Sequence, residues 1–252
     1  MDLTEGFVSE FGVLEFSTAE LQSLEKEELK FLLTCSLISN DIRFHWSLMI
    51  RSRRDGKSDE LVEMQMIREL WVLRKLASVI WEADIALNGF LKKHIFARRA
   101  LDGQAAILPS GGRDKEFMAL AGKIRNRITN HYGVGELALQ LQGFALDAKH
   151  RYYAHSQQGN SLSGFCEQII TVPLVFDASR PDQSDEFRAW CRSSSNEMMR
   201  FCNRGIGSLV KERFPAKVFN KKEIEVHQEA APLDHRWPLF SAIVPSSSVA
   251  TP

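Results

Sequence analysis

The fold class is indicated most clearly by residues 61–91, LVEMQMIRELWVLRKLASVIWEADIALNGFL. Apolar residues recur in this stretch every three or four positions. That spacing lines one side of an α-helix with apolar side chains. We therefore predict a long helix from about residue 58 to about residue 98, with Asp84 on its apolar face. The apolar residues of that face are Leu61, Met64, Ile67, Leu70, Leu73, Ala77, Ile80, Leu87 and Leu91.

The preceding segment has the same kind of pattern. Residues 17 to about 53 predict a first helix, with Ser17 or Thr18 as the N-cap and Glu20 in the first turn. Its apolar stripe is interrupted by Asn40 and Asp41 and consists of Leu29, Leu33, Leu37, Phe44 and Leu48. The short polar stretch RRDGKSD joins the two helices, which indicates an antiparallel helical hairpin.

Further helices are predicted after the hairpin, at 114–132, at 135–148 and from about 182 to 214. There is no internal repeat, phosphate-binding glycine loop or alternation of strands and helices. The predicted fold class is therefore all-α, an antiparallel helical bundle with a C-terminal helical and irregular extension. The predicted organisation has four parts. They are an N-terminal arm at 1–16, the bundle at 17–178, a C-terminal helix at 179–214 packed on the bundle, and an extended or partly disordered tail at 215–252. Within the tail, KVFNKKEIEV could form a short strand or an extended arm.

Composition restricts the function. The formal net charge of the 252 residues is zero, so a general basic coat for nucleic acid is excluded and any anion site must be local. The four cysteines form no CxxC pair, which argues against a zinc site or a disulfide framework and favours reduced, mostly buried thiols. The sequence has neither a signal-peptide pattern nor an apolar run that could span a membrane. We expect a cytoplasmic protein without a metal, a cofactor or a membrane partner.

The segment KIRNRITNHYG, residues 123–133, has the most chemically interesting residues. On a helix with about 100° per residue, His131 lies in the middle of the apolar stripe, with Arg127 one turn earlier and Arg125 at the border of the stripe. Asn126 lies on the polar side. An ordinary helix end accounts for this pattern, because a histidine in the last turn interacts well with the helix dipole and border arginines keep their charged ends in water.

The same residue types are suited to cutting RNA without a metal. A histidine has a pKa near neutral pH and can deprotonate the ribose 2′-OH. An arginine binds two phosphate oxygens with its planar guanidinium and stabilises the charge that grows in the transition state. An asparagine can orient either of them. Spacing alone leaves both interpretations open.

The stretch IRNRITNHYG resembles the motif of HEPN-domain proteins, in which an arginine and a polar residue precede a histidine, and the helical hairpin before it agrees with that family. The resemblance implies a small helical bundle that forms a homodimer with the two motifs facing each other. It also implies a metal-independent endoribonuclease that acts as a toxin or in phage defence, often restrained by an antitoxin or regulatory protein. Arg125 would then bind phosphate, His131 would be the acid and base, and Asn126 would support them.

A second cluster, RYYAH at 151–155, combines basic and aromatic residues. Arg151, Tyr152 and His155, together with Arg127 of the motif, are candidates for RNA contacts, because aromatic rings stack on bases and cations contact phosphates. A solvated turn with half-buried tyrosines is the simpler alternative.

Two polar residues in helix interiors complete the candidates. Asn40 and Asp84 are predicted either to form interhelical hydrogen bonds or bend contacts, or to support the His131 site. Glu69 and Glu82 are expected to face solvent. Two other functions are left open, a non-catalytic dimerisation or interaction module and a nucleotide-binding sensor.

Overall fold

Helices make up the body of the protein. The computed structural model describes residues 7–52, 59–101, 108–109, 115–126, 152–153, 162–163, 171–172, 182–218, 220–226 and 243–244. The helices within these ranges are α1 (Thr18–Gln22), α2 (Lys26–Ser52), α3 (Asp59–Lys93), α4 (Ile95–Leu101), α5 (Lys115–Ile124) and α6 (Gln183–Arg213). The strands are β1 (Phe7–Val13), β2 (Tyr152–Tyr153), β3 (Leu162–Ser163), β4 (Asn220–Val226) and β5 (Ile243–Val244).

The two longest early helices, α2 and α3, pack along each other, and α6 packs against α2, α3 and α4. Residues from the start of α2 and from the end of α3 line one cavity, so these helices run antiparallel, as predicted. Large fully buried side chains from α2, α3, α4 and α6 fill the shared core, among them Phe31, Ile80, Phe96 and Phe201. The predicted all-α class is confirmed, and it follows from burial of one apolar face on each long helix.

The first predicted helix is in fact two helices. Ser17 forms a capping box with Glu20. The Ser17 hydroxyl accepts a hydrogen bond from the Glu20 amide, and the Glu20 carboxylate accepts one from the Ser17 amide. Helix α1 ends after one turn, where the hydroxyl of Ser23 donates to the carbonyl of Glu20 at 2.7 Å. Helix α2 then begins with its own cap, since the Glu25 amide donates to the carboxylate of Glu28 at 3.2 Å.

Helix α2 does not bury the apolar stripe that was predicted for it. Leu33, Leu37 and Phe44 of that stripe are exposed, with 50%, 63% and 57% of their surface accessible. The buried face consists instead of Phe31, Leu32, Cys35, Ile38, Ile42 and Met49. Helix α2 therefore has two apolar faces, and contact with α3 and α6 selects the one that enters the core.

Helix α3 agrees with its predicted face. Its residues Ile67, Leu70, Leu73, Ala77, Ile80 and Leu87 are buried, and Asp84 lies among them with 3% of its surface exposed. The helix ends at Lys93, earlier than predicted, because the chain leaves helical geometry at His94 and begins α4 at Ile95. The cysteines that the structure describes, Cys35, Cys191 and Cys202, are free and buried, as expected.

Strands from the first and the last parts of the described chain form a small sheet. Strand β1, from the predicted N-terminal arm, pairs antiparallel with β4 from Phe7 opposite Val226 to Val13 opposite Asn220. Strand β5 pairs with the end of β4. Of the two possibilities for KVFNKKEIEV, a short strand or an extended arm, the structure has the strand, β4, and the N-terminal arm is its partner. Separately, β2, which lies within the RYYAH cluster, and β3 form a two-residue antiparallel pair.

Candidate functional site

The candidate site begins where α5 packs against α3. Helix α5 buries Ala121, Gly122 and Ile124, and its Phe117 ring lies 5.8 Å from the ring of Phe187 in α6. Gly122 permits a close approach, because a Cβ at this position would lie 2.6 Å from the indole Nε1 of Trp81 in α3. This contact brings the end of α5 to the face of α3 that bears Trp81 and the adjacent Glu82.

Arg125 follows Ile124 in a wider, π-type turn, and α3 holds its guanidinium on two sides. Its Nε donates to Oε1 of Glu82 at 2.5 Å, and its Cζ lies 5.1 Å from the centre of the Trp81 ring. Its Nη1 donates to Oδ1 of Asn126 at 2.8 Å. The Arg125 side chain is 27% exposed. Its guanidinium therefore has a defined orientation at the surface.

Asp84 lies on α3 two residues after Glu82, and it is buried. The side-chain amide of Asn88 donates to the Asp84 carboxylate at 3.0 Å and to the Asp84 carbonyl at 2.8 Å, one turn along the helix. The described hydrogen bonds of Asp84 therefore include a local one in α3. Glu82 is the carboxylate of α3 that contacts the end of α5, whereas Asp84, two residues later and about 200° further around the helix, lies on the buried face.

The structure brings together only part of the predicted site. Arg125 and Asn126 are in contact with each other, and Arg125 contacts α3. Asn40 is exposed on α2, and in the described ranges no hydrogen bond joins its side chain to Arg125 or Asp84. The interhelical contact predicted for Asn40 is thus not found there. His131, Arg127, Arg151 and His155 lie outside the described residues, as does the side chain of Tyr152, whose backbone pairs with Ser163 in the β2–β3 hairpin.

Sequence reasoning missed Trp81 and Glu82 as parts of the site. Glu82 was expected to face solvent, and 46% of its side chain is exposed, but its carboxylate also binds Arg125. The expectation of a solvent-facing side chain is wrong for Glu69, which is 17% exposed and lies 3.6 Å from Arg188 of α6. Both carboxylates have arginine partners far away in sequence, so helical periodicity does not indicate either pair.

The site has a cation, a carboxylate, an amide and an aromatic ring, and this set can bind an anion at the surface. A guanidinium has five N–H donors in a planar fork, a geometry that suits a carboxylate or a phosphate. Among the described residues no group of three or more His, Cys, Asp and Glu side chains converges as a metal site.

Comparison with family models, with curated proteins and with solved structures gives no match to this chain. Each helix that the structure describes is too short or too polar to cross a membrane.

Proposed function

We propose that this chain is an endoribonuclease of the HEPN type, which cuts RNA through the ribose 2′-OH without the aid of a metal. Arg125 is the phosphate ligand in this proposal, His131 is the acid and base, and Asn126 orients Arg125. The resemblance of residues 124–133 to the HEPN motif supports it, and the same resemblance suggests a toxin or phage-defence role with a restraining partner.

The observation that carries the proposal is the fixed orientation of Arg125. An arginine on a free helix end samples many rotamers, and ordering it on binding costs free energy. Contacts with Glu82, Trp81 and Asn126 hold this guanidinium in one orientation. Preorganised charge of this kind stabilises a transition state more than a mobile charge does.

The proposed reaction balances with the chain's own groups. A neutral His131 takes the proton of the 2′-OH, and the 2′-oxygen attacks the adjacent phosphorus. The bond from phosphorus to the 5′-oxygen breaks, and that oxygen leaves with the proton that His131 took from the 2′-OH. Arg125 neutralises the charge on the non-bridging oxygens. The products are one RNA end with a 2′,3′-cyclic phosphate and one end with a 5′-hydroxyl.

The test uses the purified full chain and a fluorescent RNA, together with the same RNA lacking its 2′-hydroxyls. We expect cyclic-phosphate products from the RNA alone, and Arg125→Ala and His131→Ala should each lower the cleavage rate by about 100-fold or more. Arg99→Ala is the matched control, because Arg99 also binds a carboxylate, that of Glu212, and also lies over a ring, that of Phe96 at 5.5 Å.

Cleavage that persists in Arg125→Ala, or that falls equally in Arg99→Ala, would show that the activity does not come from this site. Intact RNA with the wild-type chain, combined with normal growth of bacteria that express it, would reject the proposal.

A second candidate function is a non-catalytic dimerisation module. It is favoured by the exposed stripe of Leu33, Leu37 and Phe44 on α2, because exposed apolar residues that share a helix face often bind a partner. The pairing of Arg125 with Glu82 agrees with this candidate too, since it gives Arg125 a purely structural partner. The two candidates differ in whether pure protein cleaves RNA.

A further inference from the structure

A cavity of about 460 Å³ lies between the start of α2 and the end of α3. Glu27 and Lys30 line it from α2, and Phe90 and Lys93 line it from α3. His94, at the junction of α3 and α4, lines it as well. Its volume is in the range of small-molecule sites, which is roughly 300–1,000 Å³. The cavity begins at Ala86, about one helical turn beyond Glu82, and shares no residue with the Arg125 site.

The charged side chains around the cavity favour a ligand that carries a single negative charge. Lys30 is paired with Glu27, whose carboxylate lies 2.6 Å from its ammonium group, and this hydrogen bond lowers the pKa of Glu27. Lys93 makes no ion pair within the described part of the chain. With two lysines and one glutamate the lining carries one net positive charge, and Lys93, whose charge also helps to lower the pKa of Glu27, has no carboxylate as close to it as Glu27 is to Lys30.

Gly89 gives the cavity part of its space. A glycine inside a helix is destabilising relative to alanine, so it calls for a reason. Gly122 and Gly205 have one, because a Cβ at either would lie 2.6 Å from an aromatic ring of the protein. A Cβ at Gly89 would meet no atom within 4 Å. No protein contact requires glycine at this exposed position, so a larger side chain there would project over the open side of the cavity.

His94 and Phe90 make one side of the cavity aromatic. The His94 ring is stacked on Phe31, with 5.0 Å between ring centres and 16° between planes, and it lies edge-on to Phe90. Only 7% of His94 is exposed, and its Nδ1 has no hydrogen-bond partner among the described residues. Burial lowers the pKa of His94, which keeps the ring neutral at pH 7. A neutral aromatic wall suits a flat, uncharged ring.

We infer that this cavity is a binding site for a small aromatic monocarboxylate. The ring of the ligand lies against Phe90 and His94 in the space left by Gly89, and the carboxylate binds Lys93, with Lys30 nearby. A phosphate dianion fits less well, because Glu27 cancels one of the two lysine charges. This site does not depend on the proposed ribonuclease activity.

The experiment is calorimetric titration of the full chain with 2-naphthoate, with the neutral 2-naphthamide of similar shape, and with adenosine monophosphate. We expect saturable binding of one 2-naphthoate per chain, weaker binding of the amide and weaker binding of the nucleotide. Gly89→Leu should fill the cavity and weaken 2-naphthoate binding by at least about tenfold. Lys93→Met should weaken 2-naphthoate by about tenfold and leave the amide unchanged.

Gly207→Leu is the matched control, because Gly207 is also a helical glycine at which a Cβ meets nothing within 4 Å, and it does not line the cavity. Its affinity for 2-naphthoate should equal that of the wild type. The inference is overturned if 2-naphthoate shows no saturable binding, if Gly89→Leu binds it as well as Gly207→Leu does, or if the nucleotide binds more tightly than 2-naphthoate. Because the readout is binding, it is separate from any failure to cleave RNA.

Discussion

Arg213, in the last turn of α6, donates hydrogen bonds from Nε at 2.8 Å and from Nη2 at 2.5 Å to one oxygen of Glu28 in α2. The other oxygen of Glu28 accepts the amide of Glu25 at 3.2 Å. A single carboxylate, on a residue that is 4% exposed, therefore caps the start of α2 and binds it to the end of α6. This pair joins segments that are 185 residues apart.

We expect Arg213→Ala to lower the Tm of the protein by about 5 °C or more, because it leaves the Glu28 carboxylate buried without its cation. Thermal unfolding followed by circular dichroism measures the change. Arg200→Ala is the control, because Arg200 has a 65% exposed side chain and its ion pair among the described residues is with Glu197 of the same helix. A Tm loss for Arg200→Ala as large as that for Arg213→Ala would contradict the assigned role of Glu28.

The Arg125–Glu82 pair leads to a prediction about activity. If Arg125 binds the scissile phosphate, Glu82→Ala should lower the cleavage rate by about tenfold, because the guanidinium loses its orientation but keeps its charge. The rate should fall at saturating RNA, since Glu82 positions Arg125 and does not contact the substrate. Single-turnover cleavage measures this rate. Glu212→Ala, which frees Arg99 in the same way, should leave cleavage unchanged, and an equal loss in both variants would refute the positioning role.

Close helix packing at two glycines predicts opposite effects of the same substitution. Gly122→Ala and Gly205→Ala should each lower stability by about 1–3 kcal/mol, because the new methyl group would overlap the ring of Trp81 or Phe31. Gly207→Ala meets no neighbour and should raise stability by roughly 0.5–1 kcal/mol through its higher helix propensity. Urea unfolding measures all three variants. A stabilising Gly122→Ala would mean that α5 does not pack closely on Trp81.

The buried His94 predicts a dependence of stability on pH. Burial is the main cause that lowers its pKa, and Arg98 acts in the same direction, while Glu28, Glu27 and Glu25 oppose it. The pKa of a histidine in the unfolded chain is about 6.5. As the pH falls below that value, the unfolded chain gains a proton that the folded chain does not, so stability falls. The contribution of neutral His94 to the folding stability is fully present above about pH 7 and is lost as the pH falls below that value.

The measurement for His94 is the urea midpoint of the wild type and of His94→Phe between pH 7.5 and pH 5. The phenylalanine keeps a ring beside Phe31 but does not titrate, so its midpoint should fall less with acidification than that of the wild type. His45→Phe is a control on the exposed side of α2, where Nδ1 of His45 lies 2.7 Å from the carbonyl of Asp41. If the wild type and His94→Phe lose stability equally, His94 does not titrate as stated.

The exposed stripe on α2 predicts self-association. Leu33, Leu37, Asn40 and Phe44 follow each other at spacings of four, three and four residues, which is the spacing of a coiled-coil seam with one polar position. We expect a dimer in light scattering at micromolar concentration and a monomer for Leu37→Glu. Ile85→Glu, at a residue of α3 with comparable exposure of 49%, should remain dimeric. A wild-type protein that is monomeric in this measurement would show that the stripe is not a dimer interface.

Several features could be predicted from local sequence because their causes are local. The capping box of Ser17 and Glu20 needs only residues three apart, and the buried face of α3 needs only a regular apolar period. The face of α2 could not be predicted in this way. Both of its sides are apolar at helical spacing, and only the positions of α3 and α6 decide that Phe31 and Ile42 are buried while Leu37 and Phe44 are exposed.

The candidate site divides in the same manner. The residue types in IRNRITNHYG were sufficient to suggest Arg125 and Asn126, because arginine and asparagine suit phosphate chemistry wherever they stand in the fold. Glu82 and Trp81 could not be suggested, since they lie more than forty residues earlier and look like ordinary members of a helix surface. Their contact with Arg125 depends on how close α5 comes to α3, which Gly122 permits.

Local sequence is sufficient to predict the helical class, the hairpin, the main helix of the C-terminal part and the buried face of α3, because periodicity and capping act within a few residues. Contacts between distant segments are needed to explain which side of α2 is buried, why Glu82 binds Arg125 and Glu28 binds Arg213, and why a cavity opens beside Gly89. These features depend on contacts between helices that are distant in the chain, and the free energy of such contacts is set by packing rather than by local propensity.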